Sequence, residues 1–298
     1  MDKAFAIRGL WCALLTPLDG QGNVDGARLA RHARELMAQG IDGVAPFGTT
    51  GEGQSFSQRE REAGLASLIE GGVAPQKIVA GTGAASLTET IALTRHAVQA
   101  GSAACLVLPP FFFKEISDDG LYAWYARLIE GVGDSRLRVL LYHIPQVSGI
   151  PFSIDLVARL ARDFPGIVAG VKDSAGEWEN TQRLLQRVPG LAIFVGHEPH
   201  LPRLLQAGGA GTICGVANVR PALVKALMQP AASEDDIARV VEFIEIAFRQ
   251  PFLPAFKAIV AERTGDPGWL AVRAPLVPLD AGQRQTLHQA LQRSGAPL

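Results

Sequence analysis

The chain has 298 residues, the usual length of one closed α/β barrel with an added segment, and 28 Lys+Arg against 29 Asp+Glu leave a formal net charge of −1. So even a balance gives no field that would draw nucleic acid or an anionic membrane, and 48% hydrophobic with 19% charged residues suits a large packed core and excludes disorder. Three well-separated cysteines, Cys12, Cys105 and Cys214, form no CxxC pair, which argues against a disulfide scaffold or a cysteine-rich zinc module and suits a reducing compartment.

The start Met1-Asp2-Lys3 is too polar for a secretory leader. Eight short apolar runs follow in order: Leu10–Leu15, Gly43–Phe47, Ile78–Ala80, Ala104–Leu108, Val139–Tyr142, Ile167–Val171, Ala192–Val195 and Gly211–Cys214. They are nearly all apolar instead of alternating, as parallel strands covered on both faces should be. Helix-period stretches such as Gly26–Gln39 and Ser86–Gln99 separate them. Eight strand–helix units in tandem predict a (β/α)8 TIM barrel over residues 1–220, with an open doubly wound sheet as the alternative. The most apolar stretch, Ala103 to Phe113, is short and holds Pro109 and Pro110, so no membrane span is expected and a cytoplasmic location is. After Cys214 only helical patterns remain: Pro221–Met228, Glu234–Arg249, Pro254–Arg263 and Gly282–Arg293. They predict a C-terminal helical segment over 221–298.

Barrel chemistry sits where strands end, and three strand ends carry unusual residues. The second reads Ala45-Pro46-Phe47-Gly48-Thr49-Thr50-Gly51-Glu52-Gly53. Its glycines let amides converge and its hydroxyls add donors, a set suited to a small carboxylate; a plain tight turn is the alternative. The sixth ends Gly170-Val171-Lys172-Asp173. An ammonium closing an apolar run is costly to bury, and the chain has only six lysines against twenty-two arginines. Desolvation in an apolar barrel mouth favours the neutral amine, the form that attacks a ketone; the alternatives are a lysine reaching out to water or paired with Asp173. The fifth run ends Tyr142-His143-Ile144-Pro145, one strand from Lys172, where a phenol serves either as a proton shuttle or as a core residue with its hydroxyl at the rim.

Together, Gly48–Glu52, Tyr142 with Pro145, and Gly170-Val171-Lys172 resemble the dihydrodipicolinate synthase/N-acetylneuraminate lyase family. Thr16-Pro17, Ala80-Gly81-Thr82-Gly83 and Gly208-Gly209-Ala210-Gly211 extend the likeness over essentially the whole chain. The resemblance implies a class I aldolase on a (β/α)8 fold, with Lys172 as the Schiff-base lysine for pyruvate or another 2-oxo acid. It further implies Tyr142 as general acid/base, and Thr49 and Thr50 with the Gly48 loop amides as the carboxylate clamp. Ile213 would border the site through its main chain. No metal or organic cofactor is implied, and a homotetramer built as a dimer of dimers is.

Two positions depart from the synthase pattern: Phe112 stands where a tyrosine relays protons across a subunit interface, and Val147 where an arginine binds the second substrate's carboxylate. A phenyl ring relays no proton and a valine offers a carboxylate no bidentate partner. The expected activity is therefore cleavage or dehydration of a 4-hydroxy-2-oxo acid such as a 2-keto-3-deoxy sugar acid, ahead of synthase activity with aspartate semialdehyde. A non-catalytic 2-oxo acid-binding protein and a metal-dependent aldolase are further alternatives. Lys114 and His143 are candidates to replace the missing groups. His197 and Glu198, after strand seven, are candidates for substrate hydroxyls or for a structural loop, and Phe111–Phe113 for an interface or an apolar substrate end. His197 and His200 make an HxxH pair without convergent further ligands, so no metal site is expected.

Overall fold

Eight short strands, β1 (Gly9–Cys12), β2 (Gly43–Val44), β3 (Val79–Gly81), β4 (Ala104–Val107), β5 (Val139–His143), β6 (Val168–Asp173), β7 (Ala192–Val195) and β8 (Gly211–Cys214), make one parallel sheet. They are ordered β2-β1-β8-β7-β6-β5-β4-β3, and a parallel bridge between Val44 and Ile78 joins the two edges, so the sheet curls into a barrel. The computed structural model describes residues 7–294; the polar start at Met1–Lys3 lies outside the described residues. Every expected strand is present. The second is the most shortened, ending at Val44 because Phe47 turns the chain with φ 58°.

Helices α1 (Gly26–Ala38), α2 (Gln58–Glu70), α3 (Leu87–Gln99), α4 (Asp118–Val132), α5 (Pro145–Ser148), α6 (Ile154–Asp163), α7 (Trp178–Arg187) and α8 (Leu201–Gln206) intervene between the strands. Asp25, Ser57, Ser86, Ser117 and Ser153 each accept a first-turn amide, so short polar residues set the starts of α1 to α4 and α6. Alternation along the strands divides the apolar side chains into two clusters. Trp11, Ala45, Val79, Leu106, Leu140, Tyr142, Phe194 and Ile213 fill the barrel, while Leu10, Cys12, Val107, Leu141, Val171 and Cys214 meet the surrounding helices.

After β8 come α9 (Pro221–Leu227), α10 (Glu234–Phe248), α11 (Phe252–Thr264) and α12 (Ala281–Arg293), close to the boundaries that the sequence implies. Helix α11 starts two residues before Pro254, which a first turn tolerates because its amide has no partner there. Phe243, Phe256 and Ile259 of α10 and α11 belong to the same apolar cluster as the barrel's outer face, so these helices are fixed to the barrel by shared core. Asn218 fastens the seam between the first and last strands: it donates to the carbonyls of Ala13 (2.8 Å) and Gly215 (2.9 Å) and accepts from the amide of Leu15 (2.9 Å).

Candidate active site

Lys172 and Tyr142 are brought together by an irregularity in pairing. Val139 of β5 is opposite Val168 of β6, but Leu140 is opposite Gly170, so β6 carries one extra residue, Ala169. That slip sets Tyr142 level with Lys172, and both side chains point into the barrel. The Lys172 amine lies 4.2 Å from the centre of the Tyr142 ring, and the Tyr142 hydroxyl is 3.1 Å from Thr49 Oγ1. Lys172 is 4% exposed, and among the described residues no carboxylate forms an ion pair with it. Asp173, the alternative partner, points outward: its carboxylate accepts from Asn180 (3.0 Å), Thr181 (2.8 Å) and the amide of Ala175 (3.1 Å). Room for the lysine stem depends on Gly196, where a Cβ would stand 2.0 Å from Ser174 Oγ and 3.4 Å from Lys172 Cε. A buried amine, a phenol over which it sits and a hydroxyl beyond the phenol form one line across the barrel mouth.

The loop after β2 is held in a demanding conformation. Phe47 and Glu52 both take left-handed φ values, 58° and 54°. Gly53 packs so tightly that a Cβ would fall 1.9 Å from the Phe47 carbonyl oxygen. The amides of Glu52 and Gly53 donate back to Thr49 O (3.1 Å) and Gly48 O (3.0 Å), while among the described residues the amides of Thr49 and Thr50 donate to no group. Two unspent amides beside two hydroxyls match the chemistry of a small carboxylate. Gly48 borders this space, with only a Leu106 methyl within 4.0 Å of where its Cβ would be.

Glu52 anchors the loop from behind. Its fully buried carboxylate forms an ion pair with Lys257 of α11, and it accepts from the amide of Arg273 (3.2 Å). Lys257 also donates to Ala271 O (2.8 Å), and burial pushes its amine below the usual lysine range despite the carboxylate. Arg273 adds a bond to Ser55 O (3.0 Å) and an ion pair with Glu60 (2.7 Å), which holds the Glu60 carboxyl down at about 2. The sequence reading singled out the glycine loop without Lys257 or Arg273. The one available signal was a lysine at position 257 inside an apolar helix, the same kind of signal that marked Lys172.

Comparisons with known proteins show the family and the fold. The model of the dihydrodipicolinate synthetase family matches residues 6–294. The chain belongs to that family. An uncharacterized DapA-like lyase of Chloroflexus aurantiacus is 35% identical over 291 residues, covering 96% of each chain. A 4-hydroxy-tetrahydrodipicolinate synthase of Thiobacillus denitrificans is 33% identical, with 99% of each chain covered. The crystal structure of dihydrodipicolinate synthase from Agrobacterium tumefaciens superposes with a TM-score of 0.90 at 41% identity, over 96% of this chain and 98% of that one. As a dihydrodipicolinate synthetase family member, the protein is a lyase of the class I aldolase type, acting through a Schiff base.

The remaining candidates of this family member divide between the barrel mouth and its surroundings. Ile213 is fully buried inside the barrel beside Tyr142 and Phe194. Thr50 is buried with its hydroxyl toward Gly215. Glu198, which follows β7, is buried and accepts from the amide of Val216 just after β8 at 3.4 Å; burial raises its carboxyl above the usual range, and the Lys172 charge works against that rise. His197 is half-buried and turned to His200, ring centres 4.6 Å apart, with burial lowering both imidazoles. Among the described residues no group of three His, Cys, Asp or Glu side chains is arranged to hold a metal ion.

Two suggested replacements are corrected by the structure. Lys114 donates to Ser148 O (2.8 Å) and to Phe111 O, so its charge ties the β4 loop to the β5 turn and does not face the site. His143 alternates to the outside of β5, where its Nδ1 accepts from the Phe152 amide at 3.1 Å. Phe112 and Phe113 are each 74% exposed and meet edge to face at 5.2 Å. A cavity of about 800 Å3 between α6 and α7 is lined by Arg138, Arg159, Arg162 and Arg187 and holds none of the site residues.

Proposed function

We propose that the protein is a pyruvate-type lyase, an aldolase or related dehydratase, that acts on a 4-hydroxy-2-oxo acid through an imine at Lys172. The observation carrying this reading is the buried, carboxylate-free amine 4.2 Å from the Tyr142 ring, in line with Thr49. The Thr49 and Thr50 amides and hydroxyls hold the substrate carboxylate, which turns the adjacent ketone toward Lys172. The amine adds to the C2 carbonyl and water leaves, with Tyr142 moving the protons between the nitrogen and the departing oxygen. The protonated imine then accepts the electron pair of the C3–C4 bond as the C4 hydroxyl loses its proton and leaves as an aldehyde. The resulting enamine takes a proton at C3, and hydrolysis releases pyruvate and the free amine. Dehydration differs only in that a C3 proton leaves and the C4 hydroxyl departs as water. A 2-keto-3-deoxy sugar acid belongs to this class by its chemistry, and Glu198 and His197 are the side chains that would meet its hydroxyls if its tail ran toward β7 instead of into the space beyond Thr49.

A second reading, 4-hydroxy-tetrahydrodipicolinate synthase, is favoured by the names of two relatives at 33% and 41% identity. It is disfavoured by Phe112 and Val147, which supply neither a proton nor a cation. Members of the family are usually oligomeric, and a homotetramer in the cytoplasm is the arrangement we infer. No described helix is long and apolar enough to cross a membrane. Borohydride reduction in the presence of pyruvate is expected to add one adduct, located by peptide mass spectrometry at Lys172. An unmodified Lys172 would reject the imine, and rapid turnover of pyruvate with aspartate semialdehyde would promote the synthase.

A further inference from the structure

Beyond Thr49 the barrel mouth opens into a second space of about 340 Å3 beneath the C-terminal helices. Thr49 lines it and also bonds Tyr142, so one side chain belongs both to this space and to the chain of contacts that ends at Lys172. Its apolar walls are Leu108, Phe111, Val147, Leu253, Pro275 and Leu276, and among the described residues no Lys, Arg or His lines it. Of the polar side chains along it, Thr49 bonds Tyr142 and three others also have partners, which leaves the Ser55 hydroxyl. Gln54 donates to Gly83 O (2.8 Å), the Ser148 hydroxyl has the carbonyls of Ile144 and Ile150 each at 3.1 Å for its one proton and accepts from the Ile150 amide (3.2 Å), and Glu52 is neutralised by Lys257.

We propose that this space receives the part of the substrate beyond C4, and that the part it takes is apolar: an alkyl or aryl group instead of a polyol or a carboxylate. The proposal rests on the Schiff-base reading above and specifies its substrate class. A carboxylate placed there would lose its water and meet no cation, and the several hydroxyls of a polyol would find few partners on walls that are mostly apolar. An alkyl or aryl group loses nothing by leaving water and packs against six apolar residues. The volume suits a group of a few to several carbons. Lys114 contributes indirectly, because its bonds to Phe111 O and Ser148 O fix the β4 loop against the β5 turn and so hold Phe111 beside Val147.

The test compares kcat/KM, read as pyruvate release by the full-length enzyme, for 4-hydroxy-2-oxo acids carrying phenyl or propyl at C4, for 2-keto-3-deoxygluconate, and for 4-hydroxy-2-oxoglutarate. The phenyl or propyl substrate is expected to exceed both others by about 10- to 100-fold, the range that one apolar subsite supplies. Val147→Arg, at a position 61% exposed and so open to a longer side chain, is expected to cut that preference about tenfold. Leu276→Asn probes the opposite wall and is expected to act in the same direction. Equal or greater turnover of the polyol or dicarboxylate overturns the proposal, as does an unchanged preference in both variants. Borohydride trapping of pyruvate at Lys172 in the unaltered enzyme separates the two levels. An adduct without apolar preference leaves the imine and removes this subsite assignment, and absence of the adduct removes both.

Discussion

Among the described residues two lysines are buried, and their surroundings are opposite. Lys257 in the C-terminal helices is fully buried with a carboxylate against its amine and a carbonyl 2.8 Å away. Lys172 in the barrel is 4% exposed, with no carboxylate among the described residues paired to it and an aromatic face 4.2 Å away. The difference teaches that burial by itself does not make an amine a nucleophile. A counter-charge fixes the ammonium and makes a strut, whereas a phenol and open space leave an amine that can exchange its proton for a bond to carbon. The two lysines nevertheless meet at one loop: Lys257 holds its Glu52, and Lys172 faces its Thr49 through Tyr142.

The largest effect that would break this contrast comes from removing each amine in turn. Lys172→Met is expected to lower kcat by about 10⁴-fold or more while leaving the thermal midpoint unchanged or higher, because an apolar stem replaces an uncompensated buried amine. Tyr142→Phe should follow with a loss of about 10²–10⁴-fold and slower borohydride trapping, since the ring stays and only the proton carrier goes. Retained turnover in Lys172→Met, measured with any substrate that releases pyruvate, would erase the distinction between the two lysines.

Lys257→Met should reverse the pattern. Leaving Glu52 buried without its partner is expected to cost about 3–5 kcal/mol of stability in urea unfolding, as breaking a buried pair does. What activity remains should show a raised KM for the 2-oxo acid with a smaller change in kcat, because the loop that Glu52 anchors carries the carboxylate-binding amides. Combining it with Glu52→Gln should recover part of the lost stability, since the stranded charge is then gone. A Lys257→Met protein as stable as the parent would show the pair to be dispensable and would leave the loop's shape to its glycines.

Much of this was legible in the residues. Eight continuous apolar runs can be covered on both faces only in a parallel sheet with helices outside, and the structure has all eight as strands in a barrel. Lys172 stood out because an ammonium at the end of such a run is expensive. That Tyr142 ends the strand next to that of Lys172 was legible too; the register that sets the two side chains level was not. It depends on Ala169 being passed over in the pairing of β5 with β6, and a one-residue slip leaves no mark in hydrophobic patterning that has no alternation to disturb. The strut from Lys257 to Glu52 was hidden for another reason: the two residues are two hundred positions apart, and only the packing of α11 onto the barrel brings them into contact. Lys114 illustrates the converse, a cation well placed in sequence whose geometry spends it on two carbonyls.

Glu198 sharpens the comparison from the acid side, with the smallest expected effect. It is a buried carboxyl within electrostatic reach of Lys172 and without an ion-pair partner among the described residues, so burial keeps it protonated beyond its ordinary value of 4.5. Because the folded state then holds a proton that the unfolded chain has released, stability falls as pH rises from about 4.5 toward the raised value, by at most about 1.4 kcal/mol per pH unit. Below 4.5 both states are protonated and the contribution is constant. Glu198→Gln keeps the amide in place of the acid and cannot release a proton, so its stability relative to the parent should improve steadily across that window. Urea unfolding of both proteins at several pH values between 4.5 and 8 measures the difference. A difference that does not change with pH would mean that Glu198 ionises as freely in the fold as out of it, and that the Lys172 ammonium compensates it as fully as Glu52 is compensated by Lys257.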